Sequence, residues 1–245
     1  MGFGGRIASP ATQHRPPSIR QLNLFYAEIL LRQERFVGAF EWLRHPTTRN
    51  PKLGTQDHFA VLVGKLKLAE KAVRELLKQG RRFQHDHPEM AVALHRQAVR
   101  IAPNAVQAQF GLAELLRKLG RTEEAVEAYL NVIRIEPEMT DTYNIVAWLM
   151  ATHPEESLRN GTEAVEWATR ACELTENRNH HFLNTLAAAF AEAGRYEEAI
   201  ATVEQAIEIA RGAGDTATIG QMNNMLQAFQ AGRPWRETIK NPTDL

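Results

Sequence analysis

The stretch Gly120-Arg121-Thr122-Glu123-Glu124-Ala125 occurs a second time as Gly194-Arg195-Tyr196-Glu197-Glu198-Ala199, with five of the six residues identical. Glycine commonly ends a helix, and acidic residues favour the first turn of the next one. Each copy therefore predicts a turn between two helices. The recurrence of such a motif indicates a chain built from internal repeats.

The length of the repeat follows from the spacing of its prolines and alanines. Pro103 and Pro137 lie 34 residues apart, and each follows an apolar stretch. Ala113 and Ala125 lie 12 residues apart, on either side of the glycine turn. A period of this length accommodates two helices and one turn.

Apolar residues on both sides of the turn recur with the period of a helix. The first helix of the clearest unit is predicted from Val106 to Leu119, and the second runs from Thr122 until Pro137 ends it. A further amphipathic helix is predicted over 215–231. No alternating run rich in β-branched residues indicates a strand, so the sequence predicts an all-α protein.

Together these features resemble the tetratricopeptide repeat, or TPR. The shared pattern is the 34-residue helix-turn-helix, alanines 12 apart across the turn, a small residue seven positions on, as at Val132, and a closing proline. The resemblance implies an all-α, right-handed α-α superhelix, a TPR solenoid, with a C-terminal capping helix. The implied domains are an extended or disordered arm (1–19), degenerate TPR-like helices (20–103), regular TPR units (104–211), and the capping helix with the tail (212–245).

Charge is balanced over the chain as a whole but not within it. Residues 1–103 carry seventeen basic and eight acidic side chains, a balance of +9, and residues 104–245 carry the opposite balance of −9. A neutral chain lacks the general attraction of nucleic-acid or anionic-membrane binders. Oppositely charged halves instead favour a homo-oligomer or filament assembled head to tail, with apolar Phe25, Phe36 and Trp42 supplying affinity.

Motifs of common enzyme classes are absent from the sequence. No GxSxG, HExxH or GxxxxGK[ST] pattern occurs, and the single cysteine, Cys172, is interpreted as a buried hydrophobic residue. Residues 212–217 spell a dinucleotide-binding GxGxxA but follow a helix, so they are interpreted as a loop. His85-Asp86-His87 is interpreted as a solvated turn, and Asn160-Gly161-Thr162 as a turn and helix cap. The sequence thus predicts no catalytic residue, no metal site and no cofactor.

A stack of helix pairs presents a concave groove lined by the first helix of each unit. Asn144 and Asn184 sit at equivalent places, where amides bond a peptide backbone in peptide-binding TPR proteins; a solvent-facing role is the alternative. Trp148 is expected at or beside the groove, and the pair His180-His181 is expected to open a helix and to be exposed. The candidate groove residues are Gln107, Phe110, Glu114 and Arg117 in one unit, Asp141, Asn144 and Trp148 in the next, and His181, Asn184 and Ala188 in the last.

The resemblance implies a function in protein binding. We expect a non-catalytic adaptor or scaffold of a bacterial cell that binds a peptide or helix of partner proteins in this groove. One alternative is an accessory domain or subunit organising an enzyme complex, such as a glycosyltransferase or redox complex. Another is a nucleic-acid-binding regulator using the basic run from Lys65 to Arg100, which the scarcity of nearby aromatic residues disfavours. With no signal peptide or membrane span in the given chain, a cytoplasmic location is expected.

Overall fold

The computed structural model describes residues 56–237, with side chains described from Gly64 onwards. The chain divides into two compact units, residues 1–71 and 72–245. The described part of the first unit is the N-terminal half of one helix, so the architecture below is that of the second unit. Every regular element in the described range is helical, which confirms the all-α prediction there.

Nine α-helices and one short 3-10 helix follow one another in the described range. Seven of the eight connections between these α-helices have only three to five residues, which forces consecutive helices to run back along each other. In chain order the elements are α1 (Gln56–Phe83), α2 (Pro88–Ile101), α3 (Val106–Lys118), α4 (Thr122–Ile135), α5 (Thr140–Thr152), the 3-10 helix (Glu156–Leu158), α6 (Gly161–Leu174), α7 (His180–Glu192), α8 (Tyr196–Gly212) and α9 (Thr216–Gln230).

The helices pack as repeated pairs. Helix α3 packs with α4, α5 with α6, and α7 with α8, and each pair is one repeat unit. The second helix of each unit packs on the first helix of the next, and the first helices α5 and α7 also touch directly. This pattern of nearest-neighbour contacts is that of an all-α helical-repeat solenoid.

The duplicated hexapeptide forms the same turn in both places. Gly120 and Gly194 adopt φ values of 71° and 77°, a left-handed conformation that glycine reaches without a steric cost. The next residue then turns its N–H back onto the helix just ended, from Arg121 to the Leu116 carbonyl at 2.9 Å. Arg121 also pairs with Glu124 at 2.7 Å, inside the same hexapeptide. The two identical stretches therefore encode one local structure.

The alanines that end the two hexapeptides lie in the packed interior. Ala125 and Ala199, which end the two hexapeptides, are completely buried. A methyl side chain permits the close helix contact, and larger neighbours such as Tyr129 and Val203 fill the space beside it. The small residues of the sequence pattern thus set the distance between helices.

Side-chain caps begin three of the helices. Asn160 accepts a hydrogen bond from the Glu163 N–H at 3.2 Å at the start of α6, which confirms the interpretation of residues 160–162 as a turn and cap. Asn179 and Asp215 cap α7 and α9 in the same way. Each cap satisfies an N–H group that the first turn leaves without a partner.

The last helix of the described range, α9, covers the apolar side of α8. Its Met222, Met225 and Phe229 are each at most 1% exposed. A terminal helix of this kind shields surface that the next repeat would otherwise bury. Gly232 then turns the chain with φ of 65°, and the tail 233–237 continues without regular structure.

Other sequence predictions have different outcomes. Those for the arm 1–19 and for Phe25, Phe36 and Trp42 lie outside the described residues. Cys172 is buried, and burial raises the pKa of its thiol to about 12, which fits the predicted role as a hydrophobic residue. In the described range no helix is long and apolar enough to cross a membrane.

Candidate partner-binding groove

The candidate groove residues lie on the first helices α3, α5 and α7. All nine residues other than Ala188 are exposed or partly buried, and they repeat at three- to four-residue intervals, so they form one row on each helix. The expectation for Ala188 is wrong. Ala188 is 1% exposed, so it belongs to the packed interior and offers no surface to a ligand.

The α3 part of the groove is organised around Glu114. Its carboxylate accepts a hydrogen bond from the hydroxyl of the buried Tyr129 and pairs with Arg117 at 3.0 Å. Burial alone would raise the pKa of Glu114, but the bonds from Arg117 and Tyr129 outweigh it and lower the pKa. Glu114 is therefore ionised at neutral pH and already holds two partners.

Phe110 stands beside this network. Its ring meets the Tyr129 ring edge to face, with centroids 5.8 Å apart and planes at 72°. Burial raises the pKa of Tyr129 well above its usual range, so its hydroxyl stays protonated and keeps donating to Glu114. Phe110 and Arg117 thus form the apolar and the cationic parts of a rigid surface on α3, next to the exposed Gln107.

The asparagines of α5 and α7 have an unusual feature in common. The side-chain carbonyl oxygens of Asn144 and Asn184 are buried and have no hydrogen-bond partner. An unsatisfied buried amide oxygen costs about 1–3 kcal/mol. Because the two residues stand at equivalent places on neighbouring helices that touch, they offer two such amides one repeat apart.

Trp148 of α5 contacts the C-terminal tail of the same chain. Its indole Nε1 donates a hydrogen bond to Glu237 Oε2 at 3.0 Å. The backbone N–H of Glu237 donates to the Thr152 carbonyl at 2.9 Å, near the end of α5. Carbonyl groups in the last turn of a helix lack partners within the helix, so they are ready acceptors for an outside N–H. The sequence placed Trp148 beside the groove but predicted nothing about the tail.

A carboxylate at the end of α7 holds both the tail and the turn at residues 153–160, between α5 and α6. Glu192 pairs with Arg159 at 2.8 Å and with Arg236 of the tail at 2.6 Å. Arg159 also donates to the carbonyls of His153 and Pro154, each at 3.0 Å. One acidic side chain therefore joins α7, the turn and the tail.

The first turn of α7 meets the first turn of α9 through a polar cluster. His180 Nε2 lies 3.0 Å from Asp215 Oδ2, and His181 Nε2 lies 3.9 Å from the same oxygen. The expectation that both histidines are exposed is wrong for His180, whose side chain is only 14% exposed because it turns towards Asp215. His181 is exposed.

These three side chains are the group in the described range that could hold a metal ion, with ligand atoms within 4.8 Å of one another. Asp215 already accepts hydrogen bonds from His180 and from the Thr218 hydroxyl at 2.9 Å. The starts of α7 and α9 also place positive partial charge there, which opposes a cation. The arrangement is best described as a hydrogen-bonded link between α7 and the capping helix.

We expect this link to weaken in acid. The hydrogen bonds from His180 and Thr218 lower the pKa of Asp215. Because the pKa of Asp215 is lower in the folded chain than in the unfolded chain, its carboxylate stabilises the fold fully above the unfolded pKa of about 4. This stabilisation is lost as the pH falls through the pKa of the folded chain. Asp215→Asn keeps a capping oxygen but cannot titrate. Its free energy of unfolding in urea should therefore fall less steeply below about pH 4 than that of the wild type.

Exposed Glu127→Gln is the control for this titration and should follow the wild-type profile. Identical acid profiles for Asp215→Asn and the wild type would contradict the assignment.

Among the side chains described from Gly64 onwards, no other histidine belongs to a group that could hold a metal ion. His85 and His87 are exposed, whereas His95 is buried. The His95 ring is buried in α2 and its Nδ1 bonds the Ala91 carbonyl at 2.9 Å. The interpretation of residues 85–87 as a solvated turn agrees with this placement.

Residues 63–139 match the family model described as tetratricopeptide repeat. That range contains α2, α3 and α4 together with the first glycine turn. The chain therefore contains tetratricopeptide repeats. Residues 159–233 of this TPR protein also match a second family model, described as anaphase-promoting complex subunit 5.

Solved structures of similar fold include several of MamA. A crystal structure of MamA has 15% identity and a TM-score of 0.52, and the match covers 77% of this TPR protein and 96% of that chain. MamA from Desulfovibrio magneticus RS-1 has 14% identity and a TM-score of 0.50, with 80% and 97% covered. At such identities the likeness shows the fold alone. A comparison with curated protein sequences gives no match.

Proposed function

We propose that this TPR protein is a non-catalytic adaptor that binds an extended segment of a partner protein along the first helices α3, α5 and α7. The TPR fold is in general that of a protein-interaction scaffold. The observation that carries the specific proposal is the pair of unsatisfied amide oxygens on Asn144 and Asn184. A partner backbone has N–H groups at regular intervals, and an amide that rotates outward gains the bond it lacks.

The neighbouring side chains support an extended ligand. Asn144 and Trp148 lie one turn apart on α5, so they share a face. An aromatic surface beside an amide suits a peptide, since one holds a side chain and the other holds the backbone. Asp141 and His181 are exposed at the starts of α5 and α7, and Gln107 and Phe110 extend the row on α3.

The test is a double substitution of the two asparagines. Peptides selected from a random display library against the full chain serve as probes. We expect Asn144→Ala/Asn184→Ala to bind them about tenfold or more weakly, because each lost amide bond contributes about 1 kcal/mol. Its melting temperature should not fall, since the change removes buried unsatisfied oxygens.

Asn224→Ala, an exposed asparagine on α9, is the matched control and should bind the peptides as the wild type does. Full affinity in the double variant would contradict a backbone-binding role for the amides.

A second candidate function is a subunit of a larger assembly. The match of residues 159–233 to a model described for a complex subunit favours it. Self-association into a homo-oligomer or filament is a further part of the proposal, supported by the opposite charge of residues 1–103 and 104–245. In either assembly the same first-helix surface is available to a partner chain.

A further inference from the structure

The tail 233–237 holds to the solenoid by a small set of contacts of different kinds. Trp235 packs against the hydrophobic core, and the two residues after it make polar contacts. Arg236 pairs with Glu192, and Glu237 bonds Trp148 through its carboxylate and Thr152 through its N–H. The tail therefore uses the three means by which a groove holds an extended peptide: an apolar anchor, side-chain charges and one backbone bond.

The contacts of Arg236 and Glu237 are weak enough to exchange. The Arg236 side chain is 33% exposed, and Glu237 is exposed. Ion pairs in contact with water contribute little to stability, typically below about 1 kcal/mol. A partner that made the same contacts could replace these two residues without unfolding a helix.

The tail and a partner segment would need the same side chain. Trp148 lies one helical turn from Asn144, so a peptide bonded to Asn144 and packed on Trp148 meets the position of Glu237. The tail and a partner segment therefore cannot occupy this end of the groove at the same time.

We infer that the tail is a built-in competitor of the groove, and that the partner segment carries a basic side chain followed by an acidic one, as Arg236 and Glu237 do. This inference rests on the proposed function. The basic side chain matches Glu192 and the negative ends of α5 and α7, since Arg236 also approaches the Ala151 carbonyl at 3.5 Å. The acidic side chain matches the indole N–H of Trp148.

The experiment measures binding of a labelled peptide of this chain's own residues 231–240 to the full-length protein. The variant Arg236→Ala/Glu237→Ala, called the loosened chain, holds its own tail less tightly. It should bind the peptide about tenfold more tightly than the wild type does, because the competitor is weakened. Adding Trp148→Phe, which keeps an aromatic ring but removes the N–H donor, should reverse most of that gain.

The matched control is Arg211→Ala/Glu208→Ala, which removes an exposed ion pair of the same charges on α8 and should bind as the wild type does. A peptide with alanine at positions 236 and 237 should bind poorly to the loosened chain. Equal peptide binding by the wild type and the loosened chain, or no binding by either, would overturn the inference and make the tail a structural strap.

The display-selected peptides separate this inference from the proposed function. If they bind the wild type and the loosened chain equally but depend on Asn144 and Asn184, the proposed function stands and the competing tail is rejected. If they bind the loosened chain more tightly, the competitor is supported. If the mass of the wild type doubles with concentration and the mass of the loosened chain does not, the tails are exchanged between copies. That result would overturn an intramolecular competitor.

Discussion

Replacing Gly161 with alanine is expected to destabilise the protein by about 3 kcal/mol, the upper end of the usual cost of overpacking. Gly161 begins α6 against the end of α7. A Cβ there would lie 2.6 Å from the Ala193 nitrogen and 2.7 Å from the Glu192 carbonyl carbon. Both are backbone atoms, so no rotamer change relieves the contact, and the two helices must separate.

The separation has a second consequence that can be measured. Glu192 holds Arg159 and Arg236, so moving the end of α7 disturbs the turn before α6 and the tail together. Urea denaturation of Gly161→Ala measures the loss of stability, and hydrogen exchange at the Glu237 amide reports release of the tail. Gly212→Ala, where a Cβ meets nothing within 4 Å, is the control. Wild-type stability in Gly161→Ala would contradict the close contact.

The turns of the repeat were predictable from the sequence because their causes are local. Gly120 sets the left-handed turn, Arg121 pairs with Glu124 three residues on, and Ala125 enters the interior at the next turn. Each effect operates within six residues. The same letters at 194–199 therefore gave the same prediction, and the structure confirms it.

From the sequence, the groove could be predicted only as one face of each first helix. Helical spacing placed Asn144, Asn184 and Trp148 on the groove face of the first helices, and in the structure all three side chains are partly buried. Spacing could not show that Ala188 is buried, because burial depends on the elements packed around it. Nor could it show that Glu237 bonds Trp148, since those residues are 89 positions apart and the tail follows no repeat pattern.

The position of one histidine between two glycines could not be predicted from local sequence patterns. The buried His95 stands in α2, between Gly80 of α1 and Gly111 of α3. A Cβ at Gly80 would clash with the ring, and a Cβ at Gly111 would lie 2.8 Å from it. The ring fills the space that two side chains would otherwise take. Burial lowers the pKa of His95, so it is neutral at pH 7 and donates from Nδ1 to the Ala91 carbonyl.

Because both faces of the ring are occupied, Gly111→Ala is expected to destabilise the wild type by about 2–3 kcal/mol. The ring cannot move away from the new methyl group, since Gly80 closes the other side. The sign should reverse when the ring is absent. In a His95→Ala background, alanine at 111 fills part of the cavity and gains about 1 kcal/mol of helix propensity over glycine.

A double-mutant cycle measures this reversal directly. The free energy of unfolding is determined for the wild type, Gly111→Ala, His95→Ala and the double variant, and the coupling should reach about 3 kcal/mol, the upper end for residues in contact. Gly220→Ala on α9, where a Cβ meets nothing within 4 Å, should stabilise the protein slightly in both backgrounds. If Gly111→Ala has the same effect with and without His95, the imidazole does not set the spacing of α1, α2 and α3. Some other contact would then require glycine at these positions.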